Sequence, residues 1–185
     1  MVPAIICISV VVLLVLWYVA TYNSFIKIKE MVDESFSGMD VCLKKRHDLI
    51  PNLVSTVKGY AAHEEETLEA VVSARNVAAN NSGDISQAIA NEKGLTQALS
   101  KLMAIVENYP DLKANANFLD LQEKLSYIEE EIARSRQYYN GTTRKYNTKV
   151  KMIPQNIVAQ ISGFKEIDYY EIDDVAEREN VKVEF

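Results

Sequence analysis

Residues 118–146 read FLDLQEKLSYIEEEIARSRQYYNGTTRKY, and Phe118, Leu121, Leu125, Ile128, Ile132, Ser135, Tyr139, Thr142 and Tyr146 recur along them at alternating intervals of three and four. At that interval one side of an α-helix keeps returning to the same direction, so these residues form one unbroken stripe. Glu129, Glu130, Glu131, Arg134 and Arg136 fill the outer face. A stripe this long must be buried against other helices, which makes the chain all-α.

The partners are found upstream. Phe25, Ile28, Val32, Phe36, Met39 and Leu43 place an apolar stripe on a helix from about Asn23 to His47. A second helix is expected from Asp48 and Pro51, since Asp caps an N-terminus and Pro is tolerated in a first turn; its apolar positions are Leu53, Val54, Val57, Leu68, Val71 and Val72. It ends before Asn80-Asn81-Ser82-Gly83. A third starts around Asp84, carries Ile85, Ile89, Leu95, Leu99, Leu102 and Val106, and stops at Asn108-Tyr109-Pro110, because proline disfavours a helical residue before it. About four long helices joined by short turns fold most economically as an antiparallel up-and-down bundle. A free coiled coil is the alternative, and the breakers argue against it. So tightly striped a bundle is expected to leave little room for a pocket.

The chain opens on a different kind of sequence. Val2 to Ile26 contains no Asp, Glu, Lys or Arg, and Ala4 to Ala20 is apolar except for Ser9. About 20 apolar residues cross a hydrocarbon core of about 30 Å. A secretory signal would show a basic flank and a shorter apolar stretch, whereas here no basic residue precedes the run and Trp17, Tyr18 and Tyr22 form an aromatic belt at its end. The expected organisation is a transmembrane anchor over residues 1–22, a bundle over 23–164 and an acidic tail over 165–185. Lys27 and Lys29 follow the span and favour an N-outside, C-inside orientation.

The remaining sequence is one domain's worth, with a formal net charge of −6. That balance argues against nucleic acid as a partner, which would need a basic stripe. Cys7 lies in the apolar run and Cys42 on a helix beyond it, so neither a disulfide nor a metal spacing is expected. Met152, Ile153, Ile157, Val158, Ile161 and Phe164 make a short amphipathic piece after Tyr146, expected to cover the bundle rather than touch the bilayer, since it lacks a basic polar face. Glu166 to Glu184 reads as a solvated acidic tail, with Tyr169 and Tyr170 able to dock.

Several longer stretches resemble the LemA family of bacterial membrane proteins. They are Lys45-Arg46-His47-Asp48-Leu49-Ile50-Pro51-Asn52-Leu53-Val54, Val57-Lys58-Gly59-Tyr60, His63-Glu64 and Ala74-Arg75, then Tyr109-Pro110-Asp111-Leu112-Lys113-Ala114-Asn115, Tyr139-Asn140 and Tyr146-Asn147. The resemblance implies a single-pass membrane protein with an antiparallel helical bundle. It implies no particular chemistry, because the family has no agreed biochemical activity.

Each tempting constellation is therefore weighed on its own residues. His63-Glu64-Glu65-Glu66 invites a metal reading, but the zincin pattern needs a second His where Thr67 stands. Phosphotransfer at His63 meets repulsion from the same carboxylates. Lys44-Lys45-Arg46 reads as cations complementing a helix C-terminus. Asn52, Lys58 and Tyr60 surround a breaker and, with His63, form the candidate polar docking surface, against the plainer reading of a helix junction. No nucleophile elbow, phosphate-binding glycine loop or ligand cluster is present in the sequence, so no catalytic residue, metal or cofactor is assigned. The expectation is a membrane-anchored, non-catalytic scaffold or adaptor at the bacterial cell envelope. Its partners are the bilayer through residues 2–22 and unidentified proteins, with a homo-oligomer among the assemblies it allows. A metal-binding or phosphotransfer accessory acting through His63, and membrane-surface remodelling by residues 150–164, are the alternatives.

Overall fold

The computed structural model of the chain describes residues 2–80 and 85–170, apart from the side chain of Ser86. The expected turn at 81–83, the helix start at Asp84 and the acidic tail beyond 170 lie outside the described residues. Those residues hold α1 (Val2–Lys58), α2 (Glu65–Ala79), α3 (Ile85–Val106), α4 (Pro110–Lys113), α5 (Ala116–Lys151) and α6 (Gln155–Ser162), and no strand. The protein is an all-α helical bundle behind a long apolar helix. The described residues fall into two compact units, 2–45 with 127–169, and 46–80 and 85–126 with 170.

In the first unit α1 and α5 run antiparallel. Phe25 meets Tyr146 edge-on at 6.3 Å, Phe36 meets Tyr139 at 5.7 Å, the Ser35 and Thr142 hydroxyls are 2.9 Å apart, and Cys42 Sγ is 3.6 Å from Ser135 Oγ. On α5 the positions that pair are those of the heptad stripe; on α1 they are Phe25 and Phe36 of the expected stripe together with Ser35 and Cys42 beside it. Small polar side chains at Ser35, Cys42, Ser135 and Thr142 satisfy one another there instead of burying lone hydroxyls. Both cysteines are free. Every residue from Val2 to Trp17 is exposed, so this end of α1 has no protein covering its apolar surface. One helix of the described residues is thus long and apolar enough to cross a membrane.

The end of the unit is closed by α6. Val158 and Ala159 are buried, Phe164 stacks on Phe25 at 4.9 Å, and the Tyr18 hydroxyl lies 2.9 Å from Ser162 Oγ. Gly163 ends α6 at φ 75°, a left-handed cap that favours glycine. Residues 165–170 are non-helical and held to α5: Asn147 Nδ2 donates to the Ile167 carbonyl (2.8 Å), Ile167 N–H donates to Asn147 Oδ1 (2.9 Å), and the Tyr139 hydroxyl donates to the Asp168 carbonyl (2.9 Å).

In the second unit, α2 and α3 pack antiparallel, with Glu64 near Tyr109 at one end and Val77 near Asn91 at the other. Their core includes Leu53, Val57, Val71, Leu95, Leu102, Leu112 and Phe118. Asn115 joins this core to α5: its Oδ1 accepts from Asn117 N–H (2.9 Å) and Phe118 N–H (3.1 Å), a side-chain cap on the first turn.

One helix boundary differs from expectation. No helix begins at Asp48 or Pro51, since α1 passes through Pro51 and ends at Lys58, and the break falls at Gly59 to Glu64. Proline inside a helix removes the N–H that would bond the carbonyl four residues back, here that of His47. Arg75 on α2 supplies the replacement, donating from Nε to the His47 carbonyl at 3.1 Å. Tertiary contact thus satisfies the group the proline leaves over, and the helix continues. The Lys44-Lys45-Arg46 triplet consequently sits inside α1 and not at a C-terminus, so dipole compensation does not explain it.

Candidate functional site

The heptad stripe of α1 runs Met39, Leu43, Arg46, Ile50, Leu53 and Val57, and that of α3 runs Ala88, Glu92, Leu95, Leu99, Leu102 and Val106. Each therefore carries one charged residue at a position the pattern assigns to the core. Arg46 and Glu92 are 3% and 4% exposed and meet there, with Arg46 Nη2 at 2.5 Å from Glu92 Oε2. His47, 7% exposed, places Nε2 at 2.7 Å from Glu92 Oε1; with a carboxylate as acceptor, the ring nitrogen donates. Glu92 is thus held by both of its oxygens. Thr96 Oγ1 accepts further from Arg46, at 3.3 and 3.4 Å. Burying such charges is tolerable only when each is paired and hydrogen-bonded.

Arg75 connects this cluster to the surface. Beyond its bond to the His47 carbonyl, its Nη1 donates to Asn76 Oδ1 at 3.2 Å. Asn76 lines a groove of about 770 Å³ formed by the end of α1, one face of α2 and the start of α3. Val54, Leu68, Val72 and Val77 give its apolar part; Asn76, Gln87 and Asn91 supply amides, and Lys58, Glu65 and Glu69 supply charge. The expectation that a striped bundle leaves little room for a pocket is corrected here. α2 is too short and too lightly covered to hide two faces: Leu68, Val71 and Ala78 are buried, while Val72, assigned to the buried stripe, and Val77 stay exposed in the groove.

Of the residues singled out from sequence, Lys58 lines this groove. Asn52 is exposed on α1, and its carbonyl accepts from the Thr56 hydroxyl at 2.9 Å. Tyr60 is exposed at the α1–α2 turn, its hydroxyl accepting from Asn115 Nδ2 at 2.8 Å. His63 is exposed in the same turn. The four do not gather into one site. Among the described residues no three His, Cys, Asp or Glu side chains converge in a way that would hold a metal ion. Glu64, next to His63, accepts from the Tyr109 hydroxyl at 2.9 Å, and this bond, followed by burial, raises the tyrosine pKa above its ordinary value.

The stretches quoted for the resemblance thus have physical roles: Arg46 and His47 are buried and Arg75 bonds the His47 carbonyl that Pro51 leaves over, Tyr60 and Asn115 are hydrogen-bonded at the surface, and the buried Tyr139 and Asn147 both hold the segment 165–170. The signal that locates Arg46 and Glu92 is present in the sequence as a charge in phase with each apolar stripe. The groove has no such signal, because it depends on how α2 is covered.

Comparison with known proteins agrees with these motifs. The model of the LemA family matches residues 35–185. The chain is 28% identical over 189 residues to Magnetosome protein MamQ 2 of Paramagnetospirillum magneticum, covering 86% of this chain and 70% of that protein. To Magnetosome protein MamQ of Magnetospirillum gryphiswaldense it is 27% identical over 174 residues, 80% of this chain and 64% of the relative. To Protein LemA of Metamycoplasma hominis it is 25% identical over 143 residues, covering 77% and 65%.

Proposed function

The chain belongs to the LemA family, and on that premise we propose that it is a single-pass, non-catalytic scaffold of the bacterial cell membrane whose groove takes an amphipathic helix of a partner protein. The observation that carries this reading is the groove itself. Its apolar residues Val54, Leu68, Val72 and Val77 are bordered by amides and by charges of both signs, which suits a helix with an apolar i, i+3, i+4, i+7 face and a mixed polar flank. The exposed apolar run of α1 adds an anchor that confines the encounter to the membrane, raising the effective concentration of a partner held in the same bilayer. Lys27 and Lys29 favour the orientation with the bundle inside.

The test is site-specific photocrosslinking in cells. A photoreactive residue at Val72 is expected to give a discrete protein adduct that disappears when Val77→Glu is added, while the same residue at exposed Lys101 gives none. An adduct at Lys101 of equal strength, or no loss with Val77→Glu, contradicts the groove as the docking surface.

A further inference from the structure

We infer that α6 is an interfacial helix, lying in the headgroup layer of the same bilayer that α1 enters; this rests on the anchor reading above. The helix has two apolar faces. Val158 and Ala159 are buried within the first unit, while Ile157 and Ile161, four apart on α6, are 51% and 69% exposed, and Ile153, in the turn that precedes the helix, is 81% exposed. Three exposed isoleucines on and just before one short helix are costly in water, and a single buried face would have sufficed to close the unit.

Depth is fixed by contacts within that unit. The Tyr18 hydroxyl is 2.9 Å from Ser162 Oγ, and the Tyr22 and Phe25 rings lie 5.5 and 4.9 Å from that of Phe164. Tyr18 and Tyr22 belong to the aromatic belt that ends the apolar run, the level at which a spanning helix meets the headgroups. The C-terminal end of α6 is therefore held at that level, and its eight residues extend about 12 Å.

Charge agrees with this placement. The whole chain is acidic, yet residues 144–165 contain Arg144, Lys145, Lys149, Lys151 and Lys165 and no Asp or Glu. The last of α5 reaches the belt, since Lys149 Nζ bonds Ser24 Oγ and lies 5.0 Å over the Phe25 ring. Arg144 and Lys145 are exposed, and Lys151 pairs with Glu166 at 2.7 Å. Glu30, Asp33 and Glu34 on α1 and Asp168 after α6 are the other carboxylates near this end in sequence, and the charge of Asp33 acts on Tyr146. The basic excess suits a bilayer bearing anionic headgroups.

The experiment uses the full chain with Cys7→Ser and Cys42→Ala, reconstituted into vesicles of phosphatidylcholine or of an equimolar mixture with phosphatidylglycerol, each doped with acyl-chain nitroxide lipid. A fluorophore is placed by Ile157→Cys, with Val12→Cys marking the span and Tyr127→Cys marking the solvent. Ile157 is expected to be quenched several-fold more than Tyr127, less than Val12, and more in the anionic mixture than in phosphatidylcholine alone. Quenching at Val12 with Ile157 equal to Tyr127 overturns the interfacial helix and leaves the anchor standing. Equal quenching of Ile157 in both lipids overturns the anionic preference. No quenching at Val12 overturns the anchor and the inference together.

Discussion

Glu92 shows how one side chain organises the second unit. It receives Arg46 on one oxygen and His47 on the other, so removing it leaves two buried donors without their acceptor. Glu92→Ala is expected to lower unfolding stability by about 3 to 5 kcal/mol, read from denaturant melts followed by circular dichroism. Replacing Arg46 and Glu92 together by Met is expected to recover part of that loss, since no guanidinium is orphaned while the His47 ring nitrogen still lacks its acceptor. A second prediction concerns Pro51. Arg75→Ala is expected to cost about 1 to 3 kcal/mol by leaving the His47 carbonyl unpaired. In a Pro51→Ala background the restored N–H at residue 51 refills that carbonyl, so the same Arg75 change should cost less; equal costs in both backgrounds would contradict the coupling. Arg46 and Glu92 carry a signal in the sequence, a charge in phase with each apolar stripe, but reading Lys44-Lys45-Arg46 as helix-end cations passes over it, and Glu92 is not singled out. The arginine that lets a helix run through Pro51 carries no such signal, because it arrives from a separate helix.

Among the elements, α5 was the most legible, its whole stripe from Phe118 to Tyr146 being buried or half-buried as the spacing requires. Local rules succeed there because heptad spacing, chain length and packing agree. Its start depends on Asn115, which caps two backbone N–H groups while its amide nitrogen holds the Tyr60 hydroxyl. Asn115→Ala is therefore expected to destabilise the bundle by about 0.5 to 2 kcal/mol in a thermal melt. Asn115→Asp should retain the cap but lose the donor to Tyr60, giving a smaller loss. α2 was less legible. Its apolar residues Leu68, Val71 and Val72 look alike in sequence, but the first two are buried and Val72 is left in the groove. Which face a short helix hides is decided by its neighbours, and sequence spacing alone does not name them. The candidate docking residues suffered from the same dependence: Lys58 lines the groove, while Asn52 is exposed on α1 and Tyr60 and His63 are exposed in the α1–α2 turn.

For the molecule as a whole, the tyrosines give a pH signature. Burial raises the Tyr139 pKa above its ordinary 10.0, with its hydroxyl donated to the Asp168 carbonyl, and burial acts in the same direction on Tyr146. The unfolded chain releases these protons first, so stability is fully present below pH 10.0 and falls as pH rises towards the folded-state values. Tyr139→Phe is expected to reduce that alkaline loss in denaturant melts. A slope unchanged by the substitution would contradict the assignment. The larger organisation was readable because an uncharged apolar run and an amphipathic stripe meet in one continuous helix, α1. The proposed scaffold requires that this exposed run stay in the chain and lie in a bilayer. Carbonate washing of bacterial membranes, followed by intact mass measurement, tests it most directly: the account predicts that the chain remains in the membrane pellet with residues 2–22 still attached. Release into the alkaline supernatant, or a mass lacking those residues, would contradict it.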